Sequence, residues 1–163
     1  MSAPRRPLPR DVRALGLVSL FNDASSEMIF PLLPAFVTGV LRAGPAFLGL
    51  LEGLAESLSA LLKLLAGRLS DRLGRRKPLV LAGYTLASGA RPWVALAAAP
   101  WHVLAVRLAD RVGKGLRSAP RDALLAAVAP PGERGRAFGF HRAMDHAGAM
   151  LGPLLASGVM ALT

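Results

Sequence analysis

The chain has 163 residues, 53% of them hydrophobic, with a formal net charge of +10 and a mean hydropathy of +0.43. Strong apolarity and strong positive charge pull apart in a soluble basic protein. They coexist in a membrane protein of several helices with arginines in its connections. The sequence has no cysteine, which excludes a disulfide framework and a thiolate metal site.

Met1–Arg13 carries four arginines and three prolines. A secretory signal needs an apolar core closed by a small-residue cleavage site. Here the apolar run continues past Asn22, Asp23 and Pro31, so residues 1–13 read as a cytosolic basic tail. A transmembrane helix needs about 20 mostly apolar residues. Five windows approach this, at about 14–41, 46–66, 78–98, 101–128 and 137–163, most of them interrupted by charge. They predict an all-α fold, a polytopic membrane bundle of five transmembrane helices over residues 14–163. Polar faces with a helical period are hard to find between Leu79 and Leu108, which argues against soluble core helices.

The connections predict orientation. The tail supplies Arg5, Arg6, Arg10 and Arg13, the second connection Arg68, Arg72, Arg75, Arg76 and Lys77, and the fourth Arg134 and Arg136. The first has only Arg42, and the third, Ala99–His102, has no lysine or arginine. Positive charge thus alternates with each crossing, as the positive-inside rule requires. The expected location is the inner or plasma membrane, in contact with its lipids, with the N-terminus cytoplasmic. Five crossings with no polar tail after Thr163 suggest a fragment of a longer chain.

The stretch Gly67–Leu79, GRLSDRLGRRKPL, is the densest charge cluster between two long apolar runs and reads as a hairpin turn. Gly67 lets a helix end pack closely, and Gly74 can take the positive φ of a tight turn. Asp71 can cap the following turn or accept hydrogen bonds from nearby arginines. Arg75, Arg76 and Lys77 can hold the loop at anionic headgroups. The pattern resembles the signature loop between helices two and three of the major facilitator superfamily. The resemblance implies an alternating-access transporter with twelve or more helices in two six-helix bundles. The present chain would hold five helices of the first bundle, with the second bundle in the full-length protein. It also implies that Asp71 and Arg75, within the set Gly67, Asp71, Arg72, Gly74, Arg75 and Arg76, form a latch closing the cytoplasmic side. A purely topogenic basic loop is the other reading.

In the fifth window Gly148 and Gly152 lie four apart and Pro153 follows. The glycines let a neighbouring backbone approach, and the proline removes a donor. This run resembles the Gly-x-x-x-Gly-Pro motif in helix five of exchangers and drug exporters of the same superfamily, which implies export by antiport. In the fourth window Gly113-Lys114-Gly115 resembles the glycine part of a helix-four motif. The arginine that precedes it in the family would align with Ala109, so Arg111 or Arg117 would have to serve instead.

The fourth window holds Arg107, Asp110, Arg111, Lys114, Arg117, Arg121 and Asp122. Spacings of three and four put Asp110, Arg111, Lys114, Arg117 and Arg121 on one broad face. A charge at the bilayer centre costs at least roughly 2.5–3.5 kcal/mol, so this face must line a polar cavity or meet acids. Candidate cavity cations are Arg91, Arg111, Lys114 and Arg117. Carboxylates buried in such a place can exchange a proton near neutral pH. Asp23 and Glu27, one turn apart, are the first candidates for proton coupling, because an acid on helix one is common in proton-coupled members of the family resembled. Glu56 and Asp145 follow, although any of these acids can simply neutralise an arginine.

His141 and His146 are five apart and share no helical face, so no metal site is expected. Gly113-Lys114-Gly115-Leu116 lacks the spacing and trailing hydroxyl of an ATP-binding loop. No cofactor and no enzymatic activity are expected. The sequence therefore predicts a secondary transporter of small solutes, coupled to protons, with the substrate unspecified. The alternatives are a non-transporting helical membrane protein, or a fragment needing a partner subunit. A soluble nucleic-acid binder using Arg68–Lys77 is the reading that composition disfavours, so no nucleic-acid partner is expected.

Overall fold

The computed structural model describes residues 7–162. Arg5 and Arg6 of the expected basic tail lie outside them, as does Thr163. Helix α1 spans Arg10–Ile29 and continues through a 3-10 turn at Phe30–Leu32, one α-turn at Leu33–Ala35 and a π-turn at Phe36–Val40. The change of helix type follows Pro31 and Pro34, which lack the N–H that the regular ladder needs. Helix α2 spans Pro45–Leu73, α3 Arg76–Ala90, α4 Pro100–Val128 and α5 Arg134–Leu162. A 3-10 segment, Arg91–Leu96, extends α3, starting where Pro92 disfavours further α-helix. Among the described residues there is no strand.

The expected hairpin over Gly67–Leu79 is much shorter than its charge suggested. Helix α2 runs seven residues beyond the expected end at 66, through Arg68, Ser70, Asp71 and Arg72, to Leu73. Charge does not break a helix, but a left-handed residue does: Gly74 has φ 61° and ends α2 as a C-terminal glycine. Helix α3 restarts at Arg76, so the turn itself is Gly74-Arg75.

By hydropathy, no helix among the described residues is long and apolar enough to cross a membrane. The five expected windows do not meet that criterion. Each window contains charge, and the third is divided at Arg91, leaving α3 only 15 residues long.

Contacts between helices reveal their directions. Along α5, Gly148 and Gly152 meet Leu20 and Ala24 of α1 in the same order, so the two run parallel. A Cβ on Gly152 would lie 2.7 Å from the Ala24 carbonyl oxygen, which is the close approach expected of that motif. Gly115 of α4 is pressed against Leu62 and Ser59 of α2, while Gly113 faces Gly83 and Ala87 of α3. The two glycines of the Gly-Lys-Gly run therefore seat α4 between two neighbours. Gly67 is a milder case, with Ala119 3.3 Å from an added Cβ. The result is an α1–α5 pair and a trio in which α4 packs closely on both α2 and α3, while pair and trio approach each other less closely than these packed neighbours do.

The distribution of polarity is inverted. Two small apolar clusters close the ends. One contains Val12, Leu125, Ala129 and Ala137, and the other Leu33, Val37, Leu51 and Val103. Between them lie buried Ser19, Asn22, Ser26, Arg91, Arg107, Asp110, Arg117 and His141. Outside, Phe21, Leu61, Leu64, Leu81, Leu96, Met150 and Leu154 are exposed.

The α3–α4 seam gives a test. A side chain on Gly83 would bring its Cβ to 2.6 Å from the Gly113 carbonyl oxygen, whereas nothing lies within 4 Å of one on Gly89. Gly83→Val should destabilise the fold by about 1–3 kcal/mol through overpacking. Gly89→Ala should be neutral or stabilising by up to about 1 kcal/mol. Thermal unfolding in detergent reads both.

Candidate functional site

Helix α4 is the most strongly amphipathic element, and its polar face meets acids of α2 on one side and Arg91 at the end of α3 on another. Toward α2, Arg107 holds Glu52 through two hydrogen bonds, of 2.8 and 3.2 Å. One turn on, Arg111 pairs with Glu56 at 3.0 Å. Both pairs join residues 55 apart in sequence, a constant offset that only parallel helices produce. Toward α3, Asp110 accepts from Arg91 Nε at 3.0 Å and lies 2.9 Å from its Nη2.

Arg91 also ties the trio to α1. Its Nη1 donates to the Asn22 carbonyl at 2.9 Å and its Nη2 to Asn22 Oδ1 at 3.1 Å. Its side chain is 3% exposed. The Asn22 amide in turn donates to Asp23 Oδ1 at 2.9 Å. Further along α4, Arg121 reaches Ser19 Oγ of α1 at 3.2 Å and Asp145 of α5 at 3.9 Å. His141 Nδ1 lies 3.4 Å from the same Asp145 carboxylate.

These contacts frame a cavity of about 280 Å³ between α1 and α4. Helix α1 contributes Asp23, Ser26 and Glu27, and its break contributes Phe30 and Pro31. Helix α4 contributes Arg107, Asp110, Arg111, Lys114 and Arg117, and Arg91 completes the wall. Two cations stack on rings: Arg107 lies 4.1 Å from the centre of Phe30 and Arg117 4.6 Å from that of Tyr84. Acids of α1 thus face a mainly basic wall of α4 that also holds Asp110, within a volume suited to a small solute.

Of the residues anticipated from sequence, Asp23, Glu27, Arg91, Arg111, Lys114 and Arg117 come together in this cavity. Glu56 does not line it: its side chain is 62% exposed and its carboxylate is held by Arg111. Asp145 also lies outside, held by Arg121 and His141. The basic turn is at the far end of α2. There Asp71, 70% exposed, pairs loosely with Arg76 at 3.9 Å. The anticipated capping by Asp71 is absent, since α3 has no side-chain cap. Glu52, Arg107, Asp110 and Asn22 were not counted among the candidate site residues, although Arg107 and Asp110 were noted in the charge of the fourth window. Their signal was present, because Glu52/Glu56 and Arg107/Arg111 share a four-residue spacing and form a ladder when their helices are parallel.

The family model described as Major Facilitator Superfamily matches residues 15–163. The chain belongs to the major facilitator superfamily. Over 150 residues it is 40% identical to an uncharacterized MFS-type transporter of Methanocaldococcus jannaschii, covering 92% of this chain and 37% of that protein. Over 158 residues it is 37% identical to an uncharacterized protein of Mycobacterium tuberculosis, covering 94% and 37%. Over 134 residues it is 31% identical to multidrug resistance protein MdtH of Edwardsiella ictaluri, covering 82% and 33%. The chain thus spans about a third of the length of these superfamily relatives.

The network separates deep pairs from shallow ones. Asp110→Asn leaves the Arg91 charge buried without compensation and should cost about 3–5 kcal/mol. Glu56→Gln removes a pair with one exposed partner and should cost at most about 1 kcal/mol. Unfolding midpoints of the two variants in the same detergent should differ accordingly.

Proposed function

We propose that this chain is the N-terminal part of a membrane-embedded secondary transporter of small solutes, working by alternating access and coupled to protons. The observation that carries the reading is the charged cavity between α1 and α4. It is lined by acids and bases half-way along the helices and enclosed by apolar outer surfaces. Such a distribution suits lipid outside and water or solute inside. A 29-residue helix is about 43 Å long, more than the roughly 30 Å hydrocarbon core. Helices with charged ends and charged inner faces can therefore span a bilayer although hydropathy misses them. Exposed Trp93 and Trp101 flank the α3–α4 connection, as interfacial aromatic residues do. Opposite them lie the basic turn and tail, which in this reading face the cytoplasm at an inner or plasma membrane.

Asp23 and Glu27 are the coupling acids in this proposal, because they line the cavity and neither has a cation within close hydrogen-bonding distance. Glu56 and Asp145 act as partners of Arg111 and Arg121. Export by proton antiport is supported by Gly148, Gly152 and Pro153 on α5, and by the name of the MdtH relative. Asp71 belongs to a cytoplasmic latch in this proposal, with Arg76, 3.9 Å away, in the place expected of Arg75, a contact weak enough to open in each cycle.

The test is dissipation of a pH gradient in inverted vesicles carrying the uninterrupted gene product, surveyed over a panel of solutes. Asp23→Asn and Glu27→Gln should each lower coupled flux at least tenfold at unchanged membrane abundance. Wild-type flux in both would remove these acids from the mechanism. Asp71→Asn should slow flux several-fold without altering thermal stability. An unchanged rate would leave that segment as a topogenic anchor.

A further inference from the structure

Five cations line the cavity, and three of them already hold a carboxylate at 3.0 Å or less, although Arg107 Nη1 and Arg111 Nε lack a further partner among the described residues. Arg91 lies 2.9 Å from Asp110, Arg107 2.8 Å from Glu52 and Arg111 3.0 Å from Glu56. Arg117 and Lys114 differ. The nearest paired carboxylate of Arg117 is Asp23, at 3.9 Å. Its side chain is only 5% exposed, yet its Nε and Nη1 have no hydrogen-bond partner among the described residues. Asp23 directs Oδ1 to the Asn22 amide at 2.9 Å, so it does not engage Arg117 at hydrogen-bond distance. No ion pair of Lys114 is found among the described residues, and it lies one helical turn from Arg117 on the same wall.

An arginine buried this deeply with free donors is costly unless a ligand uses them. The Tyr84 ring, its centre 4.6 Å from the guanidinium carbon, packs against the fork, and a planar fork matches a carboxylate, phosphate or sulfate in two parallel hydrogen bonds. Lys114 adds a flexible point charge beside it. We infer that Arg117 and Lys114 form a binding site for the oxyanion group of the transported solute. This rests on the transporter reading and adds the chemical class of its substrate. The three arginines already paired orient the wall, and Arg117 and Lys114 grip the ligand. A purely apolar or cationic solute would leave the buried donors of Arg117 unmet.

The experiment uses the uninterrupted gene product in phosphatidylcholine nanodiscs, titrated calorimetrically with inorganic phosphate, succinate and, as a cationic control, tetramethylammonium. At least one oxyanion should bind, and tetramethylammonium should not. Lys114→Gln, at an exposed position and so safe for folding, should weaken oxyanion binding about tenfold. Arg117→Lys keeps the charge but removes the fork, and should weaken it at least as much. Equal binding by both variants and wild type would overturn the proposal, as would binding of tetramethylammonium alone or of no probe. Loss of phosphate and succinate binding in phosphatidylglycerol nanodiscs would assign the site to a lipid headgroup and overturn the solute assignment. Binding is read without a proton gradient. Oxyanion affinity in a protein that shows no coupled flux would therefore sink the transport reading alone, and flux without oxyanion affinity would sink this inference alone.

Discussion

The pairing of Arg91 with Asp110 is the constraint on which the rest of the architecture turns. Both side chains are almost wholly buried. A charge in such a place is tolerated only with a partner and with its remaining donors used. Arg91 meets that condition by spending its other hydrogen bonds on Asn22. One guanidinium thereby fixes the end of α3, the middle of α4 and the middle of α1. The end of α3 falls at this residue because Pro92 follows it, so the break in the helix and the anchor of the network coincide.

The same logic orders the remaining charges by depth. Pairs facing α2 have one exposed member, Glu52 or Glu56. They pin α4 to α2 at modest energetic stakes and leave the inner face of α4 free of those acids. Apolar packing is displaced to the two ends, where Val12, Leu125 and Ala137 gather at one and Val37, Leu51 and Val103 at the other. The glycine contacts of α4 and α5 then set spacing within each group of helices. Between those two apolar ends, the groups are linked by arginine side chains to Asn22, Ser19, Asp23 and Asp145.

Much of this was legible in the sequence, for identifiable reasons. The five helical segments showed as apolar windows, and Gly74 announced its left-handed turn. The family showed in Gly67–Leu79, since that run combines glycine, acid and base at fixed places. What could not be read were the helix ends and the pairings. Arg68 to Arg72 looked like a loop because charge is a common loop signal, yet the backbone there stays helical until glycine stops it. Periodicity placed the bases of α4 on one face but could not say which helix faced it. Glu56 was therefore grouped with Asp23 and Glu27, although it lies on the other side of Arg111. Hydropathy erred in the opposite direction, because averaging along a helix discards the distinction between its inner and outer faces.

That distinction is the last step. If α1 and α5 met the trio through interlocked apolar side chains, close packing would hold the two groups in one arrangement. Apolar clusters join them in this way only at the two ends; midway they meet through long side chains with several donors each, against carboxylates, a hydroxyl and an amide. Contacts at 3.9 Å, such as Arg117 to Asp23 and Arg121 to Asp145, are near the limit of an ion pair. They can be exchanged for others at little cost, whereas Arg91 to Asp110 cannot. Midway along the seam, then, one fixed point stands among several exchangeable ones. The cavity opens along the exchangeable stretch, where Asp23 and Arg117 face each other. A charge added to or removed from either wall there acts on contacts that are already marginal, while the buried pair behind them keeps the helices in register.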